Sequence, residues 1–188
     1  MINTLKKIRS LYPVSDASLE KLTALFSKRS FSRGETIMKE GRVEKSMFFI
    51  ETGLVRAYSD FPDREITFWL GLEGDYVISM RSFISSQPGY ETIEVLEDSI
   101  LYEADSAKLI SLFESDIELA NWSRKLAEYE LLKLEEKFIY RQFKTATEVY
   151  IELLERIPSL PNRVPLKHIA SYLGISQVSL SRIRAKIK

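Results

Sequence analysis

The chain of 188 residues contains no cysteine and one histidine, His168. The lack of cysteine excludes disulfides, cysteine-ligated iron–sulfur clusters and thiolate catalysis, and it fits a reducing cytoplasm. One histidine in a basic C-terminal stretch argues against histidine-rich metal sites and catalytic triads. Carboxylates are paired at Glu91 and Glu94 and at Asp60 and Asp63, but no sequence feature places either pair in a shared cleft. The sequence therefore predicts neither an enzyme nor a bound metal.

Long hydrophobic runs are absent as well. No stretch approaches the roughly 18 apolar residues of a membrane span. The N-terminus also lacks the apolar core of a signal peptide. We therefore expect a cytoplasmic protein with no membrane contact. Glycine is scarce, and six of the seven glycines lie between Gly34 and Gly89, where they mark turns.

The charges are divided unequally along the chain, although 27 basic and 27 acidic residues cancel overall. Residues 163–188 carry six basic side chains and no acidic one, which leaves the other 162 residues with an excess of six acidic charges. Such asymmetry indicates a module that faces nucleic acid, attached to an acidic body. A solvated basic tail is the alternative, but the regular apolar spacing of this segment argues against it.

Between residues 29 and 103, short segments rich in β-branched and aromatic residues alternate with turn residues, which predicts an antiparallel β-roll. Two short helices, 3–12 and 15–27, are expected before it, and a helix over 106–113 after it. Ser15 is the expected N-cap of the second helix.

Residues 116–143 contain no glycine or proline and predict one long helix. Six positions recur along it at spacings of 4, 3, 4, 3 and 4, which predicts a coiled-coil seam and a homodimer. The alternative is that this stripe packs on the β region. The seam residues are Ala120, Arg124, Ala127, Leu131, Leu134 and Phe138.

A helix over 145–156 and a linker at 160–162 are expected to precede two short helices that meet at Gly174. Pro165 suits the first turn of the first of these helices, and Ser176 is the expected N-cap of the second. Each helix has an apolar face, which predicts a helix-turn-helix. The inward residues are Leu166, Ile169, Ala170 and Leu173 on the first helix, and Leu180, Ile183 and Ile187 on the second.

The opposite face of the second helix then suits the DNA major groove, where arginine reads guanine and glutamine reads adenine. The base-reading candidates are Gln177, Val178, Ser181 and Arg182. The phosphate-contact candidates are Lys167, His168, Ser176, Ser179, Arg184 and Lys186.

Four motifs accompany this order of elements. They are Gly34-Glu35-Thr36-Ile37, Phe48-Phe49-Ile50-Glu51-Thr52-Gly53-Leu54-Val55-Arg56, Glu73-Gly74-Asp75, and Ile169-Ala170-Ser171-Tyr172-Leu173-Gly174-Ile175-Ser176 with Leu180-Ser181-Arg182-Ile183. In these motifs and in the order of its elements, the chain resembles the Crp/Fnr family of bacterial transcription regulators over nearly its whole length.

The resemblance implies an α+β fold in three parts: a cyclic-nucleotide-binding-like β-roll sensor domain over 1–115, a dimerisation helix over 116–143, and a winged-helix-like helix-turn-helix domain over 144–188. It implies a homodimer whose two recognition helices enter successive major grooves of double-stranded DNA about 34 Å apart on a pseudo-palindromic site. RNA polymerase is a further candidate partner.

The resemblance also indicates where an effector would bind in the β-roll. Cyclic-nucleotide-binding members hold the ribose with a Gly-Glu pair and the phosphate with an arginine. This chain has Gly74-Asp75 for the pair and Gly89-Tyr90-Glu91 near the arginine position, so the expected effector is not cyclic AMP, because Glu91 would repel its phosphate. Arg81 and Ser82 lie between these two segments of the sequence, and a surface position is favoured for Arg81. The candidate effector-site residues are Gly74, Asp75, Arg81, Ser82, Tyr90 and Glu91.

The missing cysteines also exclude an iron–sulfur sensor, and the missing β-roll histidine argues against haem. The sequence thus predicts a DNA-binding regulator with no certain cofactor and with an unidentified small-molecule effector or none. The alternative is a ligand- or protein-binding β-roll module that no longer reads DNA.

Overall fold

The computed structural model describes residues 1–62 and 64–187, apart from the side chain of Arg141. Asp63 and Lys188 lie outside the described residues. The carboxylate pair formed by Asp60 and Asp63 therefore receives no structural account. The basic C-terminal segment is described up to Ile187.

Helices at both ends of the chain enclose a central β region. The helices are α1 (Ile2–Leu11), α2 (Asp16–Thr23), α3 (Met80–Ser85), α4 (Ser106–Ser115), α5 (Ile117–Phe143), α6 (Ala146–Arg156), α7 (Leu160–Arg163), α8 (Leu166–Leu173) and α9 (Gln177–Lys186). The strands are β1 (Ser27–Phe31), β2 (Thr36–Met38), β3 (Ser46–Thr52), β4 (Val55–Phe61), β5 (Arg64–Gly71), β6 (Tyr76–Val77), β7 (Thr92–Val95) and β8 (Ser99–Asp105).

The strands form two antiparallel sheets of four, in the orders β1-β8-β3-β6 and β2-β7-β4-β5. Alternate residues of both sheets point inward and share one apolar core, which includes Phe48, Ile50, Val55, Ile93 and Leu101. This mixed fold with antiparallel sheets confirms the predicted β region. The predicted second helix is shorter than expected, since residues 27–31 form β1.

The N-terminal helices and the first half of α5 pack on the outer face of β3. Trp122 is fully buried there, and its indole Nε1 donates a hydrogen bond of 3.0 Å to the carbonyl of Ile8. Asp116 begins α5 by accepting bonds from the amides of Glu118 and Leu119. This cap is the local reason that the long helix begins at Ile117.

The C-terminal helices share a core with the β region. Tyr150, Leu160 and Leu180 are buried together with Leu70 of β5 and with Leu54, which lies between β3 and β4. The predicted linker at 160–162 is therefore wrong, because Leu160 is fully buried at the start of α7. The predicted helix 145–156 corresponds to α6, and the two short helices predicted on either side of Gly174 correspond to α8 and α9.

Two further differences concern the C-terminal region. No strand occurs among the described residues 144–187, so the winged-helix-like prediction finds no support in this part of the chain. Ile187 was expected in the core but is 38% exposed, because α9 ends at Lys186. Among the helices of the described residues, none is long and apolar enough to cross a membrane.

Candidate nucleic-acid interface and effector site

Helix α9 presents one exposed face. Its four base-reading candidates, Gln177, Val178, Ser181 and Arg182, are all exposed, whereas Leu180 on the other side is fully buried. The helix starts sharply because Ser176 Oγ accepts a bond of 3.1 Å from the amide of Ser179. The side chains that were predicted to read bases therefore lie together and are free of packing contacts with the core.

The turn before α9 depends on one glycine. Gly174 ends α8 with φ of 71°, in the left-handed region that favours glycine, and its amide bonds back to Ser171. The turn thus sets the direction in which α9 leaves α8.

The structure places the phosphate-contact candidates in three kinds of environment. Lys167 and Lys186 are exposed, and Arg184 is half-buried. Ser176 and Ser179 flank the start of α9, where their hydroxyls lie 3.0 Å apart and Ser176 caps the helix. Five of the six candidates therefore lie on or near the exposed surface of the α8–α9 unit.

The sixth candidate, His168, does not fit the phosphate-contact prediction, which we correct here. Its residue is only 4% exposed, and its Nδ1 lies 3.5 Å from Glu65 Oε1 on β5 without a hydrogen bond. Burial, together with the nearby charges of Arg56 and Lys167, lowers the pKa of His168 from 6.5 to about 4. A buried, neutral imidazole cannot bind a phosphate at pH 7.

Near His168, the buried guanidinium of Arg56 lies on the outer face of β4 and β5. Arg56 is 2% exposed and donates hydrogen bonds to Glu94 (2.6 Å), to Glu65 and to Thr67 (3.1 Å). Its guanidinium lies 4.0 Å from the centroid of the Tyr58 ring. These partners compensate the buried charge and fix the carboxylate that faces α8.

Helix α8 is docked on the exposed edge of β5, a contact that the sequence did not predict. Ser171 Oγ accepts a bond of 2.8 Å from the amide of Thr67 and donates one of 2.8 Å to the carbonyl of Glu65. One side chain therefore satisfies two backbone groups that a neighbouring strand would otherwise bind.

A second polar contact joins the same two regions. Arg163 at the end of α7 pairs with Glu73, at 2.6 Å, and with Glu97. These carboxylates raise the pKa of the guanidinium, so it remains charged. Arg163, which was counted in the basic segment, is thus turned inward and does not contribute to the exposed basic surface.

The six effector-site candidates do not form one cluster. Gly74 approaches Asn3 and Lys7 of α1, and its amide donates a hydrogen bond to the carbonyl of Ile50, while the carbonyl of Asp75 accepts one from the amide of Ile50. The Oδ2 of Asp75 accepts a bond of 3.0 Å from the amide of Leu72, so both residues belong to the β5–β6 turn. Contact of these two residues with an effector stays a prediction. Their roles in the turn explain why the Gly-Asp pair is there.

The other four effector candidates lie on α3 and on the segment before β7. Arg81 is exposed, as expected, and the ring of Tyr90 is 6.3 Å from that of Phe68. Ser82 is buried and accepts a bond of 3.1 Å from the amide of Glu44. Glu91 is also buried and accepts a bond from the amide of Tyr90. This second group brings a carboxylate, and no arginine side chain, into the buried part of the cluster.

The predicted seam of α5 is largely uncovered. Leu131, Leu134 and Phe138 are 67%, 64% and 67% exposed, respectively. Arg124 and Ala127 are exposed and Ala120 is half-buried, while Arg124 forms an i,i+4 pair with Glu128. The structure therefore does not support the alternative in which this stripe packs on the β region of the same chain.

Residues 28–116 match the family model of the cyclic nucleotide-binding domain. This segment holds the eight strands of the described residues, except the first residue of β1, and it includes α3 and the buried carboxylate of Glu91. No curated protein sequence is significantly similar to the chain.

Several solved structures share the fold over most of the chain. FixK2 from Bradyrhizobium japonicum is 22% identical, with 86% of this chain and 84% of FixK2 covered and a TM-score of 0.73. The c-di-GMP-responsive global regulator CLP from Xanthomonas campestris is 17% identical, with 92% of this chain and 91% of CLP covered and a TM-score of 0.67. The catabolite activator protein of Thermus thermophilus is 17% identical, with 96% of this chain and 86% of the activator covered and a TM-score of 0.61. At these identities the likeness concerns the fold.

Proposed function

We propose that this chain is a sequence-specific DNA-binding transcription regulator that acts as a homodimer. The observation that carries the proposal is the exposed face of α9, where Gln177, Ser181 and Arg182 can reach base edges in a major groove. Lys167 and Lys186 flank this face and suit phosphate contacts. The fold shared with bacterial regulators is consistent with this function.

The β-roll domain is the proposed sensor, and its effector is not cyclic AMP. A buried Glu91 whose Oε1 has no hydrogen-bond partner among the described residues would repel a cyclic phosphate. An effector, or the dimer contact itself, would change the angle between the two α5 helices and so the spacing of the two α9 helices. RNA polymerase remains a proposed partner from the resemblance alone.

The test is selection from a random pool of duplex DNA by the purified protein, with and without added cyclic AMP. We expect enrichment of a palindrome whose half-sites are about one helical turn apart, with equal recovery in both arms. Enrichment only with the nucleotide would contradict the proposal that the effector is not cyclic AMP. No enrichment in either arm would favour a β-roll module that no longer reads DNA.

The role of Arg182 can be tested on the enriched site. Arg182→Ala should weaken binding by roughly 1–3 kcal/mol and relax the preference at one base position of each half-site. Lys186→Ala is the matched control, because it removes the same charge from the end of α9 and should weaken all sequences equally. A uniform loss with Arg182→Ala would make Arg182 a phosphate contact.

A further inference from the structure

Glu91 is an uncompensated carboxylate inside the proposed sensor domain. The residue is 6% exposed, and its Oε2 accepts a bond of 3.1 Å from the amide of Tyr90. Its Oε1 is fully buried and has no hydrogen-bond partner in the part of the chain that the structure describes. Because an unpaired buried carboxylate is costly, an atom this isolated indicates a place for a donor that the chain itself does not supply.

The hydroxyls next to Glu91 do not provide that donor. Ser79, which is 1% exposed, donates its proton to Ser82 Oγ at 3.1 Å, and Ser82 donates to the carbonyl of Gln87 at 2.9 Å. A hydroxyl has a single proton, so Ser79 presents only lone pairs in any other direction. The donors of this chain of bonds therefore all point away from Glu91.

Gly89 brings the two acceptors to the same place. A Cβ on Gly89 would lie 2.6 Å from Ser79 Oγ and 2.8 Å from Glu91 Oε1, so both oxygens lie close together beside the glycine backbone.

We propose that Glu91 Oε1 and Ser79 Oγ form the polar end of a binding site for a protonated primary amine. An ammonium group carries one positive charge and three donors and has no acceptor, which complements two oxygens that only accept. Tyr90 is 55% exposed, and its ring centroid lies 6.3 Å from that of Phe68, so an apolar tail on the amine can pack against these two rings. This inference names the effector class of the sensor and therefore rests on the proposed function.

The experiment measures ligand binding without DNA, so its failure is distinguishable from a failure of DNA reading. The thermal midpoint of the full chain is followed against n-butylammonium chloride, with sodium chloride, potassium chloride and sodium butyrate at matched ionic strength. At ten times Kd the amine should raise Tm by about 3–6 °C. The rise should be absent with the three other salts.

Two variants locate the effect. Glu91→Gln keeps the shape of the side chain but removes its charge, and it should abolish the rise. Glu114→Gln removes one charge from an exposed position on α4 and should retain it. An unchanged rise in Glu91→Gln, or no rise in the unmodified protein, would overturn the proposal. An equal rise in Tm with potassium chloride would mean that the site binds a simple monovalent cation, which would also overturn the proposal of an amine.

A second readout covers the case in which Glu91→Gln does not fold. In the unmodified protein, saturable movement of the amide resonances of Tyr90 and Glu91 during the amine titration is the expected result. Movement confined to other residues would place the amine elsewhere and contradict the proposal.

Discussion

At the scale of single residues, His168 couples burial to charge. The fold lowers its pKa from 6.5 to about 4, because burial against β5 and the nearby cations disfavour the imidazolium. The unfolded chain binds a proton below about pH 6.5, whereas the folded chain does so only near pH 4. Unfolding therefore takes up a proton between these values. The stabilising contribution is complete above pH 6.5 and is lost as the pH falls toward 4.

This linkage predicts a pH-dependent stability that His168→Gln should remove. Between pH 7 and pH 4.5 the unmodified protein should lose about 2 kcal/mol more free energy of unfolding than the variant, at about 1.4 kcal/mol for each unit of pKa. Urea unfolding at the two pH values measures the difference. The carboxylates titrate in both proteins, so their contributions to the free energy of unfolding cancel in the comparison. Equal losses in the two proteins would show that the imidazole is not held neutral.

The position of His168 marks the limit of prediction at this scale. The exposed residues of α9 followed from helical spacing and from the cap at Ser176, which are local features. His168, Arg163 and Ser171 are instead fixed by Glu65, Glu97 and Thr67, which lie 66 to 106 residues away in the chain. Contacts between such distant residues leave no periodic pattern in one sequence.

At the scale of elements, α5 has two different halves. Its first half is buried on the β region through Leu119, Trp122 and Leu126, whereas Leu131, Leu134 and Phe138 in the second half are exposed. The sequence predicted the length of this helix and its stripe. A single chain does not cover that stripe, and the regular spacing suits the same helix of a second copy.

This arrangement predicts that Leu131→Glu separates the proposed dimer. Two carboxylates would meet in an apolar seam, so the dissociation constant should rise at least about 100-fold, or about 3 kcal/mol. Leu132→Glu is the matched control, since Leu132 is 49% exposed on a different face of α5. Sedimentation velocity distinguishes the two variants. An unchanged dimer with Leu131→Glu, or a dimer lost only with Leu132→Glu, would assign another face.

Glycine and proline patterns explain which other elements could be predicted. Turn residues delimited the strands, and Gly174 separated α8 from α9 as expected. The short helix α7 was missed because Pro161 and Asn162 are typical of a linker. Burial of Leu160 against the β region outweighs that local preference.

At the scale of the whole molecule, the basic segment is less available than its charge suggests. Arg163 pairs inward with Glu73 and Glu97, and His168 is neutral. Lys167, Arg184 and Lys186 remain as the proposed phosphate contacts among the described residues, with Arg182 assigned to a base. A dimer then makes about six charged phosphate contacts.

Counterion release converts this count into a measurable slope. Six contacts predict a slope of about −5 when the logarithm of the association constant for DNA is plotted against the logarithm of the salt concentration, at about 0.9 for each phosphate. Lys186→Ala removes two contacts per dimer and should reduce the slope by about 2. Arg163→Ala removes the same formal charge but should leave the slope unchanged, even where its lost ion pairs weaken docking. Equal reductions in both variants would mean that Arg163 leaves Glu73 and Glu97 to reach DNA in the complex.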